Sequence, residues 1–332
     1  MKLENRIKIL NNLAQYLIII KKDQKFLKSI YLKNPWFTIE NITYSLEYWI
    51  EQLQIENLEK WISTYKLNHD QKQKKILIIM AGNIPLVGFH DLLCVIITGN
   101  IAIIKPSSKD SILINIIVDK LKNLDIYFNN TIEFIDSLSE INKIDFLIAT
   151  GSDLTAKYFD FNFSTIKRII RGHRSSIAIL DGSESNDDLK ALAYDIFTFF
   201  GLGCRNISKL YVPMDYDFSN LSNYVDHFSN LINHDKYMSN YNYYKSYYLA
   251  LNINFLDKKF FLLKEDSLPS SPIGVVNYEF YSNLRELNTK LDSLKDVIQC
   301  VVCKQNTSFG NAQKPNLDDY ADNIDTINFL LN

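Results

Sequence analysis

A cysteine preceded by glycines is the residue most suited to chemistry in this sequence. Cys204 ends the segment Gly201-Leu202-Gly203-Cys204, which follows a predicted helix over residues 188–200 and precedes a predicted strand over residues 208–213. Glycines beside a nucleophile let a covalently bound substrate approach the backbone, whose N–H groups can stabilise an oxyanion. The pattern predicts that Cys204 is a nucleophile, with core packing as the alternative, because free cysteine is commonly buried.

Strand and helix signals alternate upstream of this segment. The apolar run 75–80 predicts a buried strand that ends at Gly82-Asn83-Ile84-Pro85, and a helix is expected over residues 86–98. The run 101–105 predicts the next strand, which ends at the turn Pro106-Ser107-Ser108. This βαβα order is typical of a doubly wound parallel sheet.

A third apolar strand, over residues 145–150, leads into Gly151-Ser152 and a predicted helix over residues 153–159. A glycine where a strand turns into a helix leaves the first N–H groups of the helix able to meet a phosphate. We therefore expect a phosphate-binding turn at Gly151 and Ser152.

Taken together, these segments resemble the aldehyde dehydrogenase superfamily. The matching residues are Asn83 in Gly-Asn-Ile-Pro, Lys105-Pro106-Ser107, Thr150-Gly151-Ser152 and Gly203-Cys204. Within the superfamily the chain is most similar to the acyl-CoA reductases of the LuxC type, strongly over residues 75–213 and more weakly over residues 308–326. The resemblance implies an α/β fold with a Rossmann-like cofactor lobe, a catalytic lobe and a helical N-terminal lead-in.

The resemblance also implies roles for individual residues. Cys204 would attack a thioester and hold an acyl group, while Asn83 and the Cys204 N–H would stabilise the tetrahedral oxyanion. The residues that would bind the dinucleotide are Lys105, Ser107, Ser108, Gly151 and Ser152. Lys105 would bind the adenosine ribose, and Gly151 and Ser152 would meet the pyrophosphate. The alternatives are a turn asparagine before proline at Asn83 and a solvated lysine at Lys105.

Three departures from the superfamily pattern refine the expected reaction. Residues 170–174 read Ile-Arg-Gly-His-Arg, where acid-forming members carry a glutamate that activates water. Without that base, reduction of a thioester is favoured over hydrolysis. Ser108, followed by Lys109, replaces a glutamate that repels a ribose phosphate, which predicts NADPH rather than NADH. Ala156 replaces a glycine expected in the pyrophosphate loop.

Other charged and sulfur-containing residues leave alternatives open. Lys167, Arg168 and the segment 171–174 form a basic cluster that could bind phosphates of CoA or of the cofactor, or could lie on a solvated strand edge. Cys300 and Cys303 lie in an apolar run that predicts a strand, on which residues three apart point to opposite faces. No metal site is therefore expected.

Length and composition bound the class of protein. The chain has 332 residues, 47% of them hydrophobic, and a formal net charge of −2, which predicts two lobes and no binding to nucleic acid. The expected divisions are residues 1–74 (helical lead-in), 75–180 (dinucleotide lobe), 181–307 (catalytic lobe) and 308–332 (tail). Residues 17–20 are too short an apolar run for a signal peptide or a membrane span, so a cytoplasmic protein is expected. The oligomeric state is left open.

The resulting hypothesis is an NADPH-dependent, aldehyde-forming acyl-CoA reductase that works through an S-acyl Cys204, with acyl-CoA or an acyl carrier protein thioester as substrate. Two alternatives remain at this point. One is an acyltransferase or thioesterase that uses Cys204 without a nucleotide, and the other is a non-enzymatic acyl-binding protein.

Overall fold

A computed structural model describes residues 1–67, 72–141, 143–219 and 221–332 and divides into two compact units. Unit 1 comprises Met1–His173 and Asn316–Asn332, and unit 2 comprises Arg174–Pro315. The chain passes into unit 2 before the expected position at residue 180, because the strand Ser175–Ile179 pairs within the second sheet. Residues from Asn316 onward return to unit 1.

Unit 1 begins with helices and continues as alternating strands and helices. Its helices are α1 (Leu3–Lys22), α2 (Gln24–Lys33), α3 (Ile39–Gln52), α4 (Ile55–Ile62), α5 (Phe89–Thr98), α6 (Ser111–Leu124), α7 (Tyr127–Thr131), α8 (Asp153–Asn162) and, after unit 2, α13 (Thr326–Leu331). Its strands are β1 (Lys75–Ile79), β2 (Ile101–Lys105), β3 (Ile132–Phe134), β4 (Phe146–Thr150) and β5 (Lys167–Arg171).

The sheet of unit 1 has the order β3-β2-β1-β4-β5, and each neighbouring pair is parallel. Strand β1 lies at the centre, and the strand order reverses beside it, between β1 and β4. In parallel α/β sheets, ligands bind outside the carboxyl ends of the strands at such a reversal. The predicted α/β fold with a doubly wound sheet is confirmed.

Helix α5 shows how the core of unit 1 forms. Seven of the ten residues of α5 are apolar and buried, because the helix contacts strands β1 and β2 as well as helices α1 and α13. The sequence predicted that this helix begins at residue 86, but it begins at Phe89. Leu86 has a positive φ of 60°, so a right-handed helix cannot run through it.

Unit 2 is a second α/β layer. Its helices are α9 (Asn186–Phe197), α10 (Leu221–Val225), α11 (Asp235–Ala250) and α12 (Leu284–Ser293), and its strands are β6 (Ser175–Ile179), β7 (Ile207–Pro213), β8 (Leu256–Asp257), β9 (Leu262–Glu265), β10 (Val275–Tyr281) and β11 (Ile298–Val302). The sheet order is β11-β6-β7-β10-β9-β8, parallel except where β8 meets β9. Across the described ranges, none of the helices has the length and apolar character that a membrane span needs.

Candidate functional site

Asn83 and the residues predicted to bind the dinucleotide lie along one edge of the sheet in unit 1. Asn83 follows the carboxyl end of β1, Lys105 ends β2 and is followed by Ser107 and Ser108, and Gly151 follows β4. The register pairs Ile79 with Lys105 and with Ala149, so these ends are level. Because β2, β1 and β4 are adjacent and parallel, all three turns emerge at the same edge. The structure therefore brings together residues that are far apart in the sequence.

The first two turns are in direct contact. Gly82 packs against Ser107 so closely that an added Cβ would lie 2.5 Å from the Ser107 Cβ. The backbone N–H of Met80 donates to the Lys105 carbonyl oxygen at 3.1 Å, which holds the ends of β1 and β2 together. Glycine at position 82 is thus needed for the close approach of the turn that carries Asn83.

The buried side chain of Asp110 also connects these two turns. Its Oδ2 accepts the backbone N–H of Leu86 at 2.6 Å, and its side chain is buried. Burial raises the pKa of the Asp110 carboxyl well above its usual range, which favours the neutral acid. Ser108 and Lys109, in contrast, are exposed. The accessible part of the turn therefore carries a hydroxyl and a cation, and its carboxyl is withdrawn into the core.

The turn after β4 has the form expected of a helix N-terminus. Ser152 is the N-cap of α8, and its hydroxyl oxygen accepts the backbone N–H of Thr155 at 3.4 Å. Ser152 is exposed, while the N–H of Gly151 donates to the Arg171 carbonyl oxygen at 3.1 Å. The N-terminus of α8 therefore lies at the carboxyl end of β4, at the same edge of the sheet as the end of β2.

The basic cluster is largely taken up by structural contacts. Arg171 is buried, and its Nη1 donates to both carboxylate oxygens of Asp91 at 2.8 and 2.7 Å, while Nη2 donates to Thr326 Oγ1 at 3.0 Å. Arg168 pairs with Asp160 at 2.7 Å. Arg171 is therefore a core residue, because its charge is already compensated inside unit 1.

His90, beside Asp91 in α5, is held by the C-terminal segment. Its Nε2 lies 2.9 Å from the Leu317 carbonyl oxygen, and its ring packs against Trp61 and Tyr320. Desolvation there lowers the pKa of the imidazole. These contacts give His90 a packing role in the aromatic cluster where residues from Asn316 onward dock on unit 1.

Cys204 lies in unit 2, in the loop between α9 and β7. It is half-buried, whereas Cys94, Cys300 and Cys303 are buried. Cys303 falls just after β11, and the described residues include no cluster of three or more side chains suited to a metal. Cys204 is therefore the one cysteine of the four that is not buried, and reactive thiols are usually at least partly exposed.

The loop before Cys204 has an unusual backbone. Phe199 and Phe200 have φ values of 56° and 60°, and Gly201 has 76°, so three successive residues adopt the left-handed conformation. For phenylalanine this costs about 1–2 kcal/mol per residue. The sequence predicted helix up to residue 200, but α9 ends at Phe197 because the chain reverses its handedness there.

Asn206 holds this loop through its buried side chain. The amide oxygen accepts the backbone N–H of Gly203 at 2.8 Å. The amide nitrogen donates to three carbonyl oxygens at the end of α9, those of Asp195 (3.1 Å), Ile196 (3.2 Å) and Thr198 (2.7 Å). One side chain thus satisfies carbonyls that a helix end leaves without intrahelical partners.

Asp195 fixes a second segment against α9. Its fully buried carboxylate accepts the backbone N–H groups of Gly310 at 2.6 Å and Ala312 at 2.9 Å. Arg205 Nε in turn donates to the Ala312 carbonyl oxygen at 2.5 Å. Burial raises the pKa of Asp195 to about 6 even though the two N–H donors oppose the change. Residues 308–315 are therefore tied to the loop that carries Cys204.

Sequence reasoning missed Gly82, Asp110, Asp195 and Asn206. Apart from the local bond between Asn206 and Gly203, their contacts join segments that are separate in the sequence, so no local pattern points to them. The available signal was residue type alone, since asparagine and aspartate often bond to backbone groups near helix ends and turns.

Comparison with known proteins gives a family match over most of the chain. A family model described as acyl-CoA reductase (LuxC) matches residues 2–229. A search of curated proteins found no match.

Solved structures show the same fold at low sequence identity. Aldehyde dehydrogenase 21 from Physcomitrella patens, in complex with the product succinate, has a TM-score of 0.70 and 12% identity, covering 92% of this chain and 74% of that one. An NAD-dependent aldehyde dehydrogenase from Sinorhizobium meliloti has a TM-score of 0.66 and 11% identity, covering 91% and 70%. The glyceraldehyde-3-phosphate dehydrogenase GapN from Methanocaldococcus jannaschii, complexed with NADP, has a TM-score of 0.61 and 14% identity, covering 91% and 76%.

Proposed function

The chain belongs to the LuxC family of acyl-CoA reductases and is an oxidoreductase that acts on aldehyde or acyl groups, and we propose that it reduces a fatty acyl thioester to an aldehyde with NADPH, through an S-acyl intermediate on Cys204. The observation that carries the proposal is the common edge of β2, β1 and β4. There Asn83 and the residues expected to bind the dinucleotide emerge side by side.

The residues at that edge fit a dinucleotide. Lys105 is half-buried at the end of β2, and the exposed Ser152 caps α8 beside Gly151. A lysine can bond ribose hydroxyls, and a helix N-terminus favours pyrophosphate. NADPH, when bound, supplies the hydride that reduces the acyl group. A nicotinamide cofactor also agrees with the NADP complex of the structurally similar GapN.

The choice of NADPH rests on the turn after β2. A carboxylate near the adenosine ribose would repel the extra phosphate of NADPH. Ser108 and Lys109 present a hydroxyl and a cation at the surface, and the nearby Asp110 is buried with a raised pKa. This turn therefore suits a phosphate-bearing ribose.

Cys204 would carry the covalent chemistry. Its thiolate attacks the thioester carbonyl carbon, the C–S bond to CoA breaks, and the CoA thiolate leaves with the electron pair of that bond. After hydride reaches the acyl carbon, the thiohemiacetal oxyanion collapses, releasing aldehyde and regenerating the Cys204 thiolate. The Asn83 amide and the Cys204 N–H would stabilise both oxyanions, each donor contributing about 3 kcal/mol.

The absence of a carboxylate in residues 170–174 favours reduction over hydrolysis. These residues read Ile-Arg-Gly-His-Arg, and the Arg171 side chain is buried and bound to Asp91. Without a general base, water is a poor acceptor of the acyl group, so the intermediate survives until hydride arrives. The substrate is acyl-CoA or an acyl carrier protein thioester.

The decisive experiment separates acylation from reduction. The protein is incubated with a series of acyl-CoAs of increasing chain length, first without nucleotide and then with NADPH or NADH. Mass spectrometry should find one acyl adduct on Cys204, which NADPH discharges as aldehyde. The Cys204→Ser variant should lose turnover, while the matched Cys303→Ser variant keeps it. Acyl transfer to water or thiols at full rate without nucleotide would instead favour an acyltransferase or thioesterase, and the lack of any adduct would leave a binding protein.

A further inference from the structure

We infer that Asn206, together with Ser176, is a positioning residue that fixes the backbone on both sides of Cys204 and thereby sets the direction of the Cys204 N–H. The Gly203 carbonyl oxygen accepts the Asn206 N–H at 3.0 Å, and the Cys204 carbonyl oxygen accepts the Ser176 hydroxyl at 2.9 Å. A trans peptide is planar, so the Cys204 N–H points opposite to the Gly203 carbonyl. The inference rests on the proposed function, in which that N–H stabilises an oxyanion.

The side chain of Asn206 also holds the loop that carries Cys204, in addition to its backbone N–H. It is 3% exposed and joins the Gly203 N–H to the end of α9. Only an amide of this length supplies an acceptor and two donors from one short side chain, since aspartate lacks donors and leucine lacks both. Asn206 therefore fixes the position of the loop that carries Cys204 relative to the end of α9.

The left-handed residues explain why an anchor is required. Phe199 and Phe200 occupy a conformation that phenylalanine rarely adopts, and such a conformation persists only where surrounding contacts determine it. Asn206 Nδ2 bonds the carbonyl of Thr198, the residue directly before them. Asn206→Ala keeps the backbone bond to the Gly203 carbonyl oxygen but removes the amide that holds the Gly203 N–H and the Thr198 carbonyl oxygen. The turn is then free to return toward right-handed geometry, which shifts the peptides that precede Cys204.

The test compares two buried asparagines of the same unit. Asn277 is 2% exposed, and its Nδ2 donates to the carbonyl oxygens of Leu268 (3.2 Å) and Ser270 (2.9 Å). Asn206→Ala and Asn277→Ala should both lower the melting temperature. Only Asn206→Ala should slow single-turnover acylation of Cys204 by acyl-CoA, by about 100-fold, because misplacement of a reacting group by about 1 Å has an effect of that size. Equal acylation rates in the two variants would overturn the inference.

A second readout does not depend on the proposed reaction. The rate at which iodoacetamide alkylates Cys204, followed by peptide mass spectrometry over about pH 6 to 9, reports the surroundings of the thiolate. Asn206→Ala should change this pH profile, and Asn277→Ala should not. If the wild-type protein forms no acyl adduct, the proposed function fails, while the alkylation profiles still decide the role of Asn206.

A milder variant covers the case in which Asn206→Ala does not fold. Ser176→Ala removes only the bond to the Cys204 carbonyl oxygen, and Ser271→Ala removes a comparable bond to the Val275 carbonyl oxygen at 2.7 Å. Ser176→Ala should slow acylation of Cys204 at least about tenfold relative to Ser271→Ala. Indistinguishable rates would show that the flanking peptides do not need to be fixed.

Discussion

Replacement of Gly82 by alanine tests whether the contact between the first two turns positions Asn83. The new Cβ would lie 2.5 Å from the Ser107 Cβ and 3.3 Å from the Asp110 Cβ. Rotation of the Ser107 side chain cannot relieve the first contact, because a Cβ is fixed by the backbone. Carbon atoms prefer separations of about 3.5–4.0 Å, so the two turns must separate by about 1 Å.

Such overpacking should lower the free energy of unfolding by about 1–3 kcal/mol. A displacement of about 1 Å at Asn83 should also reduce kcat about 100-fold. Urea denaturation measures the first effect, and NADPH oxidation with acyl-CoA measures the second. The matched variant is Gly82→Ala combined with Ser107→Gly, which removes the opposing Cβ and should match Ser107→Gly alone in stability and kcat. A Gly82→Ala protein with wild-type stability and turnover, or a double variant without recovery, would refute the reasoning.

Three further predictions concern single groups. Burial raises the pKa of Asp195 in the folded protein from 3.8 to about 6, so between these pH values the folded protein keeps a proton that the unfolded chain releases. The free energy of unfolding should therefore fall by about 3 kcal/mol as the pH rises from about 4 to 6. Urea melts of Asp195→Asn should lack this decline, and parallel pH curves would contradict it. Asp91→Ala should lower the free energy of unfolding by about 3–5 kcal/mol, because the buried Arg171 charge loses its partner. The double variant Asp91→Leu with Arg171→Met should recover most of this stability in thermal melts. Ser108→Glu should raise the KM for NADPH at least about tenfold and leave that for NADH unchanged, whereas an equal rise for both would argue against a phosphate contact at this turn.

The strands of unit 1 could be predicted because their sequences carry complete local signals. Residues 101–105 are an apolar run bounded by Gly99-Asn100 and by Pro106, and the structure has β2 at Ile101–Lys105. Apolar strands covered on both faces are typical of parallel sheets, so the fold class followed from the alternation of runs and turns. The placement of Asn83, Ser107 and Gly151 at one edge then follows from the topology.

The remaining features depend on contacts between distant residues. The charged neighbours of Arg171 in the sequence predict an exposed side chain. In the structure Arg171 is buried, because its charge is compensated by Asp91, which lies 80 positions earlier. The end of α9 was misplaced because phenylalanine gives no local sign of a left-handed turn; contacts from Asn206 impose it. Such tertiary effects override the local preferences on which sequence reasoning depends.

The return of residues 316–332 to unit 1 has a consequence for biosynthesis. Unit 2 is continuous in the chain, whereas unit 1 is formed by two chain segments, one before unit 2 in the sequence and one after it. During translation, domains generally fold as their residues emerge from the ribosome. Unit 2 can therefore fold before unit 1 is complete. Until α13 is synthesised, unit 1 exposes an apolar surface beside α5, where Ile327 and Leu330 are buried in the complete fold. A nascent chain stalled between the two pieces should bind chaperones until α13 is released.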